Sequence, residues 1–219
     1  MTASELDGLA SHPLLVRFSC ALAERPGRIA ERPGARRAAI LLLLRSRSAD
    51  EPELLMIRRA EFEGDPWSGH VACPGGRMEP GDADLAVTAV RETFEETGID
   101  VSRDGRLLGH LDDLSPRSAL IPQIVIRPYV ALVRYDVHLS LSDEVAAAFW
   151  VPLSALREQS AWSTGIVTAH GAQRSVSTFT HGEHLVWGLT ERVLRQFLTY
   201  LGIPPNGESI DDDATGAPR

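Results

Sequence analysis

Cysteine is scarce in this chain: Cys20 and Cys73 are the only two among 219 residues. Two cysteines so far apart cannot build a disulfide framework, and no closely spaced pair offers a thiolate metal site. A reducing, cytoplasmic setting is therefore expected. Long hydrophobic runs are also missing. The longest aliphatic stretch, Ala38 to Leu44, falls far short of the roughly 20 residues that a membrane-spanning helix requires. The opening segment MTASELDGLASHPLL carries acids where a signal peptide would carry basic residues, so no targeting segment is expected. There is no basic excess, because 22 Lys+Arg against 30 Asp+Glu leave a formal net charge of −8. Nucleic-acid binding depends on a basic surface, so neither nucleic acid nor membrane is expected as a partner.

A chain of this length, 43% hydrophobic and 24% charged, suits one globular domain that buries its core without staples. Residues 1–35 read as an N-terminal helical extension closed by Pro26-Gly27 and Pro33-Gly34. The main domain spans 36–203, and residues 204–219, rich in Pro, Gly and Asp, read as a disordered tail. Asp211-Asp212-Asp213 in that tail is taken as solvated, not as a metal site. The run Ala38 to Leu44 predicts a buried strand, and Glu53 to Arg58 predicts the second arm of a hairpin across a polar turn. His70 to Cys73 reads as a short extended piece, and Gly64 to Gly69 as a loop. Further strands are expected near Leu107 to Leu111 and Ile121 to Val133. Short and amphipathic helices are expected over Leu153 to Glu158 and Val186 to Leu201.

The most informative segment runs from Gly75-Gly76 to Ile99. A helix is expected from about Asp84 to Thr97, stopping at Gly98. On it Glu92, Glu95 and Glu96 stand at i, i+3 and i+4, which places all three on one face. The adjoining face carries Leu85, Ala86, Ala89, Val90, Thr93 and Thr97, so the helix can pack against a core and present carboxylates beside it. Three like charges on adjacent turns repel, and a hard divalent cation with a preference for oxygen ligands would reverse that sign. The Gly75-Gly76 turn lets backbone approach a ligand closely, and Arg91 can orient a carboxylate or meet a phosphate.

Gly76, five residues, Asp82, eight residues, then Arg91-Glu92-Thr93-Phe94-Glu95-Glu96-Thr97-Gly98-Ile99 resembles the Nudix box, G-x5-E-x7-R-E-U-x-E-E-x-G-U. Asp82 replaces the first Glu, the next spacer is one residue longer, and Thr93 occupies an aliphatic position. These departures resemble the coenzyme A diphosphatase branch, whose upstream signature is L-L-T-x-R-[S/A]-x3-R-x3-G-x3-F-P-G-G. Leu54 to Arg58 matches its start apart from Met56, and Gly69 to Gly76 matches its end with Cys73 in place of Phe. No arginine stands between Arg59 and Gly69, and the intervening loop is longer than the signature allows. Asp143 to Leu153 and Val186 to Thr190 are similar to later segments of the same branch.

The resemblance implies an α/β/α sandwich with a mixed β-sheet between helices. It also implies Mg²⁺ or Mn²⁺ held by Glu92, Glu95, Glu96 and the carbonyl of Gly76, with Arg91 holding the glutamates in place. A general base is also implied, with Glu92 and Glu144 as the two candidates; Glu144 reads equally as a cap or first-turn acid before Val145. Arg58, Arg59, Arg77 and Arg127 are candidate phosphate contacts. The substrate would be a small nucleotide, with coenzyme A first. ADP-ribose, a dinucleoside polyphosphate or a modified nucleotide follow, and a homodimer is implied by the family only. A non-catalytic binding module of the same fold is the alternative in another class, against which the intact Glu92, Glu95 and Glu96 speak. Two weaker motifs are set aside: Ala161 to Gly165 as a serine nucleophile elbow, which lacks its first glycine, and His181 with His184 as a zinc site, which reads better as a loop.

Overall fold

The computed structural model describes residues 12–46, 51–63, 67–116, 123–169, 172–203 and 205. Residues 1–11, 47–50, 64–66, Ile121 and, apart from residue 205, the whole tail expected from 204 to 219, with Asp211 to Asp213, lie outside the described residues.

The run from Ala38 to Leu44 is the middle of the central strand, β1 (Arg36–Arg45). It pairs in parallel with β6 (Ile124–Val133) over nine residues, from Arg36↔Ile124 to Leu44↔Leu132. Its other edge is shared. The start of β1 pairs antiparallel with β4 (Gly75–Arg77), and its end pairs antiparallel with β2 (Glu53–Arg59). β5 (Gly105–His110) closes the β6 edge, while β3 (Val71–Ala72) and β7 (Val145–Pro152) pair with β2. The result is a mixed seven-stranded sheet. Gly75 and Gly76, expected as a turn, lie in β4 itself, paired with Ile40 and Ala39 of β1.

Alternation along the strands sorts the core into two layers. Ala39, Leu41 and Leu43 of β1 join Tyr129, Ala131 and Val133 of β6 beneath helix α2 (Leu85–Thr97). Leu42, Leu44, Val130 and Leu132 face the other way, toward α1 (Pro13–Glu24) and α5 (Gly188–Tyr200). Helices therefore flank both faces of a mixed sheet, an α/β/α sandwich. The short helices α3 (Val101–Asp104) and α4 (Leu153–Arg157) fill the edges.

Helix α2 begins and ends where its sequence says it should. Asp84 accepts the N–H groups of Ala86 and Val87 at 2.8 and 2.9 Å, and Gly98 takes a left-handed φ of 74° just past the last turn. Thr93, which replaces the aliphatic residue of the box, is fully buried, and its hydroxyl donates to the Ala89 carbonyl at 2.7 Å. With that hydroxyl satisfied inside the helix, threonine presents its methyl group to the core at little penalty.

Three elements differ from expectation. The last helix starts at Gly188, because Val186 and Trp187 belong to β10 (His184–Trp187). That strand pairs with β9 (Ala172–His181), which pairs in turn with β8 (Trp162–Ala169), forming a second, three-stranded sheet. Ser163 thus lies in a strand, hydrogen-bonded to Thr178 at 3.0 Å, and no nucleophile elbow exists there. His181 and His184 face each other across a tight turn at Gly182, where φ is 58°. The His184 ring stacks on Phe149 with centroids 3.8 Å apart. Glu144 does not begin a helix, since Val145 opens strand β7; the extended backbone there removes any capping role.

Helix α1 is part of the core. Leu15 and Phe18 are fully buried, and the Phe18 ring meets Phe197 at 5.3 Å and Tyr200 at 6.1 Å. The chain after α1 is clamped by two neighbouring acids. Asp112 accepts from Arg25 at 2.7 Å, from the Arg28 N–H at 2.9 Å and from the Tyr200 hydroxyl at 3.2 Å. Asp113 accepts from the Ala30 N–H at 2.9 Å and from Arg127 at 2.7 and 2.9 Å.

Phe18→Ala is expected to destabilise the fold by about 3–5 kcal/mol in chemical denaturation, the usual loss for a buried phenylalanine. Burial alone would raise the Asp112 pKa, yet the Arg28 N–H and the guanidinium groups of Arg28 and Arg25 outweigh it and hold the carboxyl below its ordinary range. A depressed folded-state pKa means that Asp112 stabilises the fold above the ordinary carboxylate pKa and loses that contribution as pH falls through the folded value. Thermal melts of Asp112→Ala should therefore lie well below wild type at neutral pH, and the gap should shrink below about pH 4.

Candidate active site

The site is built from Gly75 and Gly76 of β4, the C-terminal half of α2, and the adjacent ends of β2 and β7. Gly75 adopts a φ of 150°, and a Cβ there would strike the Ala39 carbonyl and Ile40 of β1. Gly76 has no such backbone constraint, but a Cβ on it would run into the Glu92 carboxyl group. The two glycines therefore do different work. Gly75 lets β4 lie tightly on β1, and Gly76 leaves room for a carboxylate against the backbone.

Glu96 is the most enclosed of the three glutamates, with a side chain 4% exposed. Its Oε2 accepts the Gly75 N–H at 2.8 Å, and Arg59 Nη1 lies 3.6 Å from Oε1. Burial pushes its pKa up to about 7 despite that N–H and guanidinium, and the negative charges of Glu92 and Glu144 add to the rise. Glu92 is also raised, first by burial, with Arg91 opposing and Glu95 and Glu144 adding to it. Glu95 shares Arg91 Nη1 with Glu92. It is half exposed and bonds Arg91 Nη1 at 2.9 Å.

Arg91 is fully occupied as a clamp. Its Nε and Nη2 grip Asp82, each at 3.0 Å, Nη2 also donates to the Arg77 carbonyl, and Nη1 reaches Glu92 at 3.1 Å. Asp82 accepts further from the Glu79 N–H and the Thr88 hydroxyl, both at 2.9 Å. Arg91 and the Glu79 N–H hold its carboxyl well below the usual range. The shortened acid and lengthened spacer of the box thus form a bracket tying the β4–α2 connection to the helix. Asp82 was visible in the sequence only as a departure from a pattern; the pairing with Arg91 needed the fold.

The four arginines proposed as phosphate contacts separate. Arg59 faces α2 and joins the site. Arg58 is exposed, and strand alternation directs it to the opposite face. Arg77 is exposed beside the site, with its carbonyl held by Arg91. Arg127 does not join the site, because its guanidinium is buried in the ion pair with Asp113. Glu144 is exposed at the foot of β7, where its carbonyl accepts the Ala60 N–H at 2.8 Å, and its charge reaches both Glu92 and Glu96.

The NUDIX domain model matches residues 34–170. The chain belongs to the Nudix family. A curated relative from Photorhabdus laumondii, the uncharacterized Nudix hydrolase NudL, is 33% identical over 181 residues, covering 82% of this chain and 91% of its own. A NudL from an Enterobacter species is 30% identical, covering 78% and 85%. Among solved structures, a MutT/nudix family protein from Enterococcus faecalis covers 92% of this chain and 80% of its own at 18% identity and a TM-score of 0.48. This Nudix chain is accordingly a hydrolase of the diphosphatase type, a class that works on small nucleotides with divalent metal ions. No helix among its described residues is long and apolar enough to cross a membrane.

The side chains suit such an ion without being closed around one. Among the described residues no three His, Cys, Asp or Glu side chains are gathered closely enough to hold a metal. The carboxylates instead lean on Arg91, Arg59 and the Gly75 N–H. The candidate donors are all oxygen, and Glu92 and Glu96, raised first by burial and then by neighbouring carboxylates, carry charge that a hard cation would stabilise.

Alanine at the two glycines should separate fold from site. Gly76→Ala is expected to keep a near wild-type melting temperature, because only the flexible end of Glu92 must move, and to weaken Mn²⁺ binding about tenfold or more by displacing that carboxylate. Gly75→Ala should lower the melting temperature markedly, since backbone of β1 stands in the way. Equal melting temperatures for the two variants would contradict this division.

Proposed function

We propose that this chain hydrolyses the phosphoanhydride bond of coenzyme A or an acyl-CoA, releasing adenosine 3′,5′-bisphosphate and the corresponding 4′-phosphopantetheine. The observation that carries the hydrolytic part is the pairing of Glu92 and Glu96 against Gly75 and Gly76 of β4, with Arg59 and Glu144 facing them. The coenzyme A part rests on sequence: the Leu54 to Arg58 and Gly69 to Gly76 segments, the Asp82 spacing, and the Asp143 to Leu153 and Val186 to Thr190 stretches.

In this reading Glu92, Glu96 and the Gly76 carbonyl hold the divalent ion, Mg²⁺ or Mn²⁺, with Glu95 at the rim. The ion, when bound, neutralises phosphate charge and makes a coordinated water more acidic. Arg91 fixes Glu92 relative to β4 through its grip on Asp82. Glu144, exposed and on the opposite wall, accepts the proton of the attacking water as its oxygen bonds to phosphorus and the bridging oxygen departs with one phosphate. Glu92 is less suited to that role, because Arg91 and the enclosing backbone already engage it. Arg59 supplies positive charge toward the phosphates.

Coenzyme A, ADP-ribose and NADH, assayed at equal concentration with Mg²⁺ and with Mn²⁺, are expected to rank with coenzyme A first. Rapid turnover of another substrate with coenzyme A untouched would refute the substrate assignment and leave the hydrolase class standing. Glu96→Gln keeps the hydrogen bond from the Gly75 N–H through its amide oxygen and loses the charge. It should reduce turnover by about 100-fold or more with little change in melting temperature. Wild-type rates in that variant would place the chemistry elsewhere, and a chain inactive on every substrate would favour a binding module.

A further inference from the structure

Arg59 lies on the α2 face of β2, the same face as Leu55, at the end of the strand. Opposite the Arg58–Arg59 step, β7 carries one extra residue: Arg58 pairs with Ala147, while Arg59 pairs with Val145. Such a bulge bends the strand locally and re-aims side chains, and bulges concentrate beside active sites. Here it places Val145, and Glu144 just before it, beside Arg59. The Arg59 side chain is 26% exposed, so one end reaches solvent, while Nη1 approaches the enclosed Glu96 carboxylate at 3.6 Å. At that separation the pair is held by charge and not by a direct hydrogen bond between those atoms. The chain contains no lysine, so any fixed cation in the site must be an arginine, and Arg91 and Arg127 are committed to Asp82 and Asp113.

Resting on the hydrolase reading above, we infer that Arg59 is an exchangeable counter-ion. It neutralises Glu96 in the ion-free chain, and it transfers to a phosphate oxygen of the nucleotide when a divalent cation takes over that carboxylate. Both oxygens of Glu96 are engaged, Oε2 by the Gly75 N–H and Oε1 by the charge of Arg59, so an ion that takes Oε1 competes with Arg59 for it. The nearest new source of negative charge is the incoming diphosphate, whose oxygens a guanidinium matches well. Ion and nucleotide binding are then coupled through one side chain. The ion alone binds weakly because it must displace Arg59, and it binds better when a diphosphate receives the displaced cation. Arg59 is a positioning residue for the ion and a direct contact for the phosphate.

The test compares wild type with Arg59→Met and Arg59→Lys at about pH 8.5, where a carboxyl group with a pKa near 7 is ionised. Free Mn²⁺, counted by electron paramagnetic resonance without nucleotide, reports affinity for the ion alone. ADP binding at saturating Mg²⁺, by calorimetry, reports the phosphate contact. Arg59→Met should bind Mn²⁺ about three- to tenfold more tightly and ADP about tenfold more weakly, while Arg59→Lys, which keeps the charge, should stay near wild type for Mn²⁺. These opposite signs are the signature, because a damaged fold would weaken both. Mn²⁺ affinity that is unchanged or lower in Arg59→Met would overturn the exchange and leave the hydrolase intact. A wild-type chain that binds no Mn²⁺ would overturn the hydrolase reading and this inference together.

Discussion

The hydrogen bond from the Gly75 N–H to the enclosed Glu96 carboxylate joins the two halves of the site, and most of the molecule serves to maintain it. It requires β4 to lie flat on the first residues of β1, which only a residue without a side chain permits at Gly75. It also requires α2 to cross beneath β1 at a fixed depth, which the layer of Ala39, Leu41, Leu43, Leu85 and Ala89 sets by close packing. A buried carboxylate with so few hydrogen-bond donors is unfavourable for folding. The chain carries that burden at a place where negative charge can be put to use.

Electrostatic organisation around this point follows from the scarcity of cations. In an acidic protein whose only fixed positive charges are arginines, Arg91, Arg127 and Arg59 meet different carboxylates. Arg91 is locked between Asp82, Glu92 and Glu95, and its bidentate geometry makes it a rigid strut. Arg127 is spent on Asp113, which with Asp112 fastens the segment after α1 across the end of the sheet. Arg59 meets Glu96 across 3.6 Å with a partly exposed side chain.

Much of this arrangement could be read from local sequence. Helix α2 was legible because Asp84 and Gly98 bracket a run with helical spacing, and capping chemistry acts over three or four residues. β1 and β2 were legible because a short aliphatic run followed by a polar turn has few other structures available to it. The second sheet was not. β8 to β10 alternate small, polar and apolar residues, and their pairing rests on contacts among Trp162, Phe179 and α5 that local pattern does not encode. The helical spacing that seemed to begin at Val186 arose because a strand ends in Trp187 just where the helix starts.

Within the site the division is sharper. Sequence alone determined that Glu92, Glu95 and Glu96 share a helix beside a glycine pair, because residue spacing and helical pitch leave no other outcome. Only tertiary structure decided how those three glutamates differ: Glu96 goes under the sheet, Glu92 against Gly76, and Glu95 out to Arg91. It also decided which arginine meets them. Those outcomes depend on the depth at which α2 packs and on which face of β2 lies over it, both set by side chains far away in the sequence. Spacing fixes angle around a helix; burial, and with it charge state and partner, is fixed by what the rest of the chain lays on top.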